Sequence, residues 1–159
     1  MFVLSFDPGN TTGWAYQNQD SLLEFGNLYS TSTDKKSINN DFVKLLSTWD
    51  LDEKPVDHVV IEDYVILNNK AMSHSGSRVI AIQVIGFIKA WCMMKDIPFT
   101  MYKANMKPIQ KKLTQIDIKG SHAETHFVDA WIHGRYWLIK NGYAKSALQM
   151  EMEKKIGKV

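Results

Sequence analysis

Cysteine is nearly absent: Cys92 stands alone among 159 residues. No internal disulfide can brace the fold, and no cluster of thiolates can hold a structural zinc ion. Long apolar runs are missing as well. The opening MFVLSFDPGN has no basic leader and its apolar stretch stops at Asp7, too short for a signal peptide or a membrane span. The densest apolar segment, Val79 to Met94, is interrupted by Gln83 and Lys89 and reads as a buried helix. Cys92 falls inside it, which suits an inert buried thiol better than a nucleophile. The expected setting is the cytoplasm, without membrane contact. A strong charge of one sign is the third absence. The net charge is only +2, which by itself argues neither for nor against a nucleic-acid partner.

What is present fits one globular domain over residues 1–159, with 45% hydrophobic and 23% charged residues. The lysines are unevenly placed. Lys103, Lys107, Lys111, Lys112 and Lys119 face a single acid, Asp117, in their segment. A local basic stretch lets a near-neutral protein grip phosphate, although a solvated helix face has the same composition.

Phe2 to Phe6 reads as a buried strand ending in Asp7, and Pro8-Gly9 then forces a turn. Thr12 to Tyr16 and Leu22 to Tyr29 read as two more strands, joined by a polar turn at Gln17 to Asp20. Ser30 to Ser37 is polar loop. Ile38, Phe42, Leu45, Leu46 and Trp49 recur at helical spacing. His58-Val59-Val60-Ile61 is a second buried strand, closed by Glu62 and Asp63. After a loop from Asn68 to Gly76 come a long helix (about Ser77 to Lys95), a strand (Pro98 to Tyr102) and a short basic helix (near Asn105 to Leu113). The last strong helix is expected to begin at Ser121, where Ser121 and Glu124 match a capping box, and to end at Gly142. The element order is that of an α/β domain with a mixed five-stranded sheet flanked by helices.

Two buried strands each end in an acid. If they are parallel neighbours, Asp7 and Glu62 emerge side by side at the C-terminal edge of the sheet, where α/β sheets place ligands. On the last helix, His122, His126, Asp129 and His133 share one stripe. His126 and Asp129 can address one ion, and Asp129 sits among Phe127, Val128, Ala130 and Trp131, where an unpaired charge would be costly. His122 and His133 read instead as polar residues of a surface stripe. Asp7, Glu62, Asp129 and His126 make a hard, oxygen-rich donor set suited to Mg²⁺ or Mn²⁺. Two such ions would support phosphodiester hydrolysis.

The segment Phe6-Asp7-Pro8-Gly9-Asn10-Thr11-Thr12-Gly13 resembles the opening motif of RuvC-type Holliday junction resolvases of the ribonuclease H-like superfamily. Val59-Val60-Ile61-Glu62 is similar to the strand that carries this family's second acid. His126-Phe127-Val128-Asp129-Ala130 is similar to its last ligand pair, with histidine where many bacterial members have aspartate. Tyr102-Lys103-Ala104-Asn105-Met106-Lys107 approximates the context of its active-site lysine, and Lys119 stands where a second one would fall. The resemblance implies a ribonuclease H-like fold and a homodimer that binds four-way DNA junctions and nicks two opposing strands. It implies two Mg²⁺ ions per site (Mn²⁺ substituting) on Asp7, Glu62, His126 and Asp129, with Lys107 at the scissile phosphate. Arg78, Lys103, Lys111, Lys112, Lys119 and Tyr64 would meet DNA, Tyr64 standing near the family's junction-opening aromatic but out of register. The compact chain suits a phage-type member acting in the host cytoplasm.

Two rival readings stand beside this one. Asp7, Gly9 and Thr11 partly fit the phosphate loop of actin-like and sugar-kinase-like ATPases, but Trp14 occupies the closing glycine's place. The same fold could also serve as a module that binds branched nucleic acid without cutting it.

Overall fold

The computed structural model describes residues 1–29, 44–47, 49, 54–64, 75–116, 118 and 125–156. Its centre is a five-stranded sheet of order β3-β2-β1-β4-β5. The strands are β1 (Phe2–Asp7), β2 (Thr11–Asn18), β3 (Leu22–Tyr29), β4 (His58–Asp63) and β5 (Phe99–Lys103). β1, β2 and β3 form an antiparallel meander, whereas β4 and β5 run parallel to β1. Asn18 makes the β2–β3 hairpin tight: its side-chain carbonyl accepts from the N–H groups of Asp20 and Ser21.

Four helices carry labels: α1 (Ser75–Met94), α2 (Lys107–Thr114), α3 (His126–Lys140) and α4 (Ala147–Ile156). Residues 44–47 and 49 are also helical, in agreement with the periodicity of the Ile38 to Trp49 segment. The expected loop at Ser30 to Ser37 lies outside the described residues. Ser75 and Gly76, expected in a loop, instead open α1, and the basic segment splits into a 3-10 turn (Ala104–Met106) followed by α2. The last long helix begins at His126 with Thr125 as its N-cap, later than the Ser121 start expected from sequence. Ser121, His122 and Glu124 lie outside the described residues. Its C-terminus follows expectation, because Gly142 takes a positive φ of 77°. Gly142 and Tyr143 return their N–H groups to Ile139 and Leu138, a Schellman closure.

The period of two along β1 and β4 feeds two cores. Leu4, Phe6, Val59 and Ile61 face Leu46, Trp49 and the inner side of α1, namely Val84, Ile85, Ile88, Trp91 and Cys92. Val3 and Val60 face the other way, against Tyr136, Trp137 and Leu138 of α3. β1 therefore has cover on both faces, and its apolar run reads continuously for that reason. Among the described residues no helix is long and apolar enough to cross a membrane.

Candidate active site

β1 and β4 pair in parallel with Phe6 opposite Ile61. One residue further on, Asp7 and Glu62 leave the sheet side by side at its C-terminal edge. On the other flank Asp7 pairs with Gly13, which pairs with Asn27. This row seats the start of α3. A Cβ on Gly13 would run into the backbone of His126, so only glycine lets the helix approach this closely. The Asn27 side chain accepts from the Phe127 N–H and holds the same turn.

Side chains from four elements converge over this edge. His126 Nδ1 lies 2.8 Å from Asp7 Oδ2. Lys107, the first residue of α2, reaches 2.9 Å from Glu62, 3.1 Å from Asp129 and 3.6 Å from Asp7. Lys111, one turn along, stands 3.9 Å from the other Asp129 oxygen. Asp7, Glu62, His126, Asp129 and Lys107 are thus brought together.

His133 joins them. Sequence reasoning assigned it to a surface stripe, yet it is fully buried, with Nε2 2.8 Å from Glu62 Oε2. One donor atom each from Asp7, Glu62 and His133 falls within 4.8 Å of the others. Asp129 stands across Lys107 from this group, and His126 flanks it at Asp7. The signal for His133 was its place on the His126–Asp129 stripe. What the sequence lacked was knowledge that α3 lies flat on the sheet over its whole length. A second glycine contact makes that possible, since a Cβ on Gly134 would collide with the Gln17 side chain and crowd Ser5.

The ionisation of the cluster follows from crowding. Burial pushes the Asp7 carboxyl up and the nearby Glu62 carboxyl adds to this, while the hydrogen bond with His126 opposes it. Burial would raise Glu62 too, but hydrogen bonds with His133 and Asp7 and the charge on Lys107 pull it down to about 2. Lys107 loses hydration on burial, yet the charges of Asp7, Glu62 and Asp129 outweigh this and raise its pKa. The hydrogen bond with Asp7 raises His126. Two carboxyls close enough to share a hydrogen bond in a buried site need a proton or a cation between them. One lysine for three carboxylates leaves the cluster short of positive charge, so the donor set fits a hard divalent cation.

The remaining predicted contacts scatter more widely. Lys103 is exposed at the end of β5, paired in register with Asp63, and Lys111 and Lys112 are exposed on α2. Tyr64 is exposed directly after β4. Arg78 belongs to α1, but its side chain lies outside the described residues, as does Lys119.

No family model and no curated sequence matches the chain. Solved structures do. Thermus thermophilus RuvC in complex with a Holliday junction substrate matches at a TM-score of 0.63 and 13% identity, over 92% of this chain and 99% of that one. The fold is that of RuvC. A second Thermus thermophilus RuvC structure matches at 0.62 and 14% identity with the same coverage. The Fowlpox virus resolvase, in complex with Holliday junction DNA, matches at 0.52 and 14%, over 89% and 99%. The RuvC fold is a ribonuclease H-like, mixed five-stranded sheet flanked by helices, as the element order had suggested.

Proposed function

We propose that this chain is a metal-dependent, structure-selective endonuclease of the RuvC type, resolving four-way and related branched DNA by paired nicks. The observation that carries the reading is the convergence of Asp7, Glu62, Asp129, His126, His133 and Lys107 at the C-terminal edge of a RuvC-fold sheet. Resolvases of this fold, from a bacterium and a poxvirus, have been solved with Holliday junction DNA. Asp7, Glu62, His126 and Asp129 would hold two ions, Mg²⁺ or Mn²⁺, with His133 orienting Glu62. The ions would supply an activated water and neutralise charge on the leaving oxygen. Lys107 sets a fixed positive charge where a scissile phosphate would lie. His126 stands at the rim, its Nδ1 hydrogen-bonded to Asp7 Oδ2. Lys111 and Lys112 extend the positive surface along α2.

A homodimer would present two such sites to a two-fold junction. In support, the outer side of α1 leaves Ile82, Met93 and Met94 exposed, while its inner side fills the core. The ATPase alternative gains nothing from the loop after β1. There the Gly9 N–H is already taken by the Thr12 hydroxyl, which donates in turn to the Gly9 carbonyl. The test is cleavage of a four-way junction, a fork and a linear duplex side by side with Mg²⁺ and Mn²⁺. Paired nicks in the junction with sparing of the duplex are expected. Junction binding with no cleavage in either metal would leave only the non-cutting module.

A further inference from the structure

Phe25 projects from the edge strand β3 with 53% of its surface exposed. It does not stand alone. Its ring stacks on Phe127, with centroids 4.4 Å apart and planes 23° from parallel. Phe127 is in turn fixed, because it follows His126 at the start of α3 and its N–H is held by Asn27. The pair is therefore a rigid aromatic surface, prepared before any ligand arrives. Leu23, on the same face of the strand, adds further exposed apolar area.

The position relative to the active site is defined by register. Ser5, Ala15 and Phe25 form one row across the sheet, and Asp7, Gly13 and Asn27 form the next. Phe25 thus lies two strands and one rung from Asp7, roughly 12 Å by sheet dimensions, and on the same face. It is on the opposite side of Asp7 from Tyr64, which follows β4. Neither β2 nor β3 places an acid on this face: Leu23, Phe25 and Asn27 line β3, and Gly13, Ala15 and Gln17 line β2. Glu24 points to the other face, where Lys54 holds it at 2.7 Å. No carboxylate of these two strands therefore stands beside the ring pair, and the lysines of α2 lie on the far side of the site.

We propose that Phe25 and Phe127 form a stacking platform for an unpaired base, a few nucleotides from a scissile phosphate at the neighbouring site. Flat rings stack on any base regardless of its identity, so the platform would favour branched or opened DNA over duplex without reading sequence. The inference rests on the nuclease reading of the neighbouring site.

The experiment compares wild type, Phe25→Ala and Phe25→Trp by fluorescence anisotropy in chelator, on a four-way junction and on a linear duplex of equal length. The junction carries 2-aminopurine beside the crossover. Phe25→Ala is expected to weaken junction binding roughly tenfold, within the range of one lost stack, and to leave duplex binding unchanged. Phe25→Trp should restore the affinity, and quenching of 2-aminopurine should appear with wild type and vanish with Phe25→Ala. Equal losses on both substrates, or no loss on either, would overturn the platform. So would a halved native mass in Phe25→Ala, which would make the patch a subunit interface. Wild type that ignores the junction sinks the nuclease reading itself. Wild type that binds and cuts it, with Phe25→Ala indifferent, sinks the platform alone.

Discussion

Hydrogen bonds with His133 and Asp7 and the charge on Lys107 hold the Glu62 carboxyl well below the usual carboxylate range, and that makes His133 the most consequential residue absent from the sequence-derived site. Its ring is fully buried and its Nε2 fixes one Glu62 oxygen. Loss of a residue that orients a metal ligand typically weakens metal binding ten- to a hundredfold. We expect His133→Leu to lower Mn²⁺ affinity by about that factor in calorimetric titration; unchanged affinity would remove it from the site. Asp7, Glu62 and Asp129 were legible in sequence because each is an acid in an apolar setting. A histidine on a polar stripe has no such mark, as His58 illustrates. It stacks on Trp137 at 4.0 Å, bonds to Thr100 and has no part in the site. Burial depresses His58 from 6.5 to about 4. The unfolded chain therefore takes up this proton first as the pH falls, and stability declines between about 6.5 and 4. His58→Phe removes that proton uptake. Its urea midpoint should gain on wild type through this window and hold a constant offset above it.

At the scale of elements, the site depends on how closely α3 approaches the sheet. Gly13 and Gly134 are the two places where that approach leaves no room for a side chain. Gly13→Ala must push the start of α3, and with it His126, away from Asp7. The cost of such overpacking is about 1–3 kcal/mol, read as a lowered urea midpoint, and cleavage should fall further than stability. A variant as stable and active as wild type would show that the contact is not needed. The DPGNTTG segment reveals a turn and a close approach from its glycines, but not what approaches. The partner lies more than a hundred residues away in sequence. Element order was legible for the same reason that β1 and β4 were: apolar runs ending in an acid are local patterns. The late start of α3 was not, since a Ser-x-x-Glu pattern before a helix looks the same whether or not the helix begins there. Lys107 makes the complementary case. A cation at the first position of a helix opposes its dipole by about 0.3–1 kcal/mol, and the three carboxylates around Lys107 offset that.

For the whole molecule, a single domain over residues 1–159 is the expectation to test, and metal binding at the active site is the means of testing it. One buried carboxylate (Asp7) and two partly buried ones (Glu62 and Asp129) share one lysine within reach of all of them, and a bound ion would relieve their repulsion. An ion at a hundred times its dissociation constant stabilises a fold by about 2.7 kcal/mol, equivalent to roughly 5–10 °C at this chain length. Wild type should show a single thermal transition that rises by this amount when Mn²⁺ replaces chelator. The shift should be lost in Asp7→Asn. Two separate transitions would contradict the single domain, and a shift of equal size in the variant would place the metal elsewhere. The near-neutral net charge conceals a polar arrangement, with the α2 lysines on one side of the site and the acid-free face of β3 on the other. DNA would lie across both.

Asp7 is the residue on which all of this converges, held by β1, flanked by Glu62 and bonded to His126. Its substitution by asparagine keeps the shape and removes the charge. On a fixed four-way junction with Mg²⁺, Asp7→Asn should bind about as tightly as wild type. Its cleavage rate should fall by at least about a hundredfold, on the scale of losing a group that stabilises transition-state charge. Undiminished cleavage by Asp7→Asn would contradict the account.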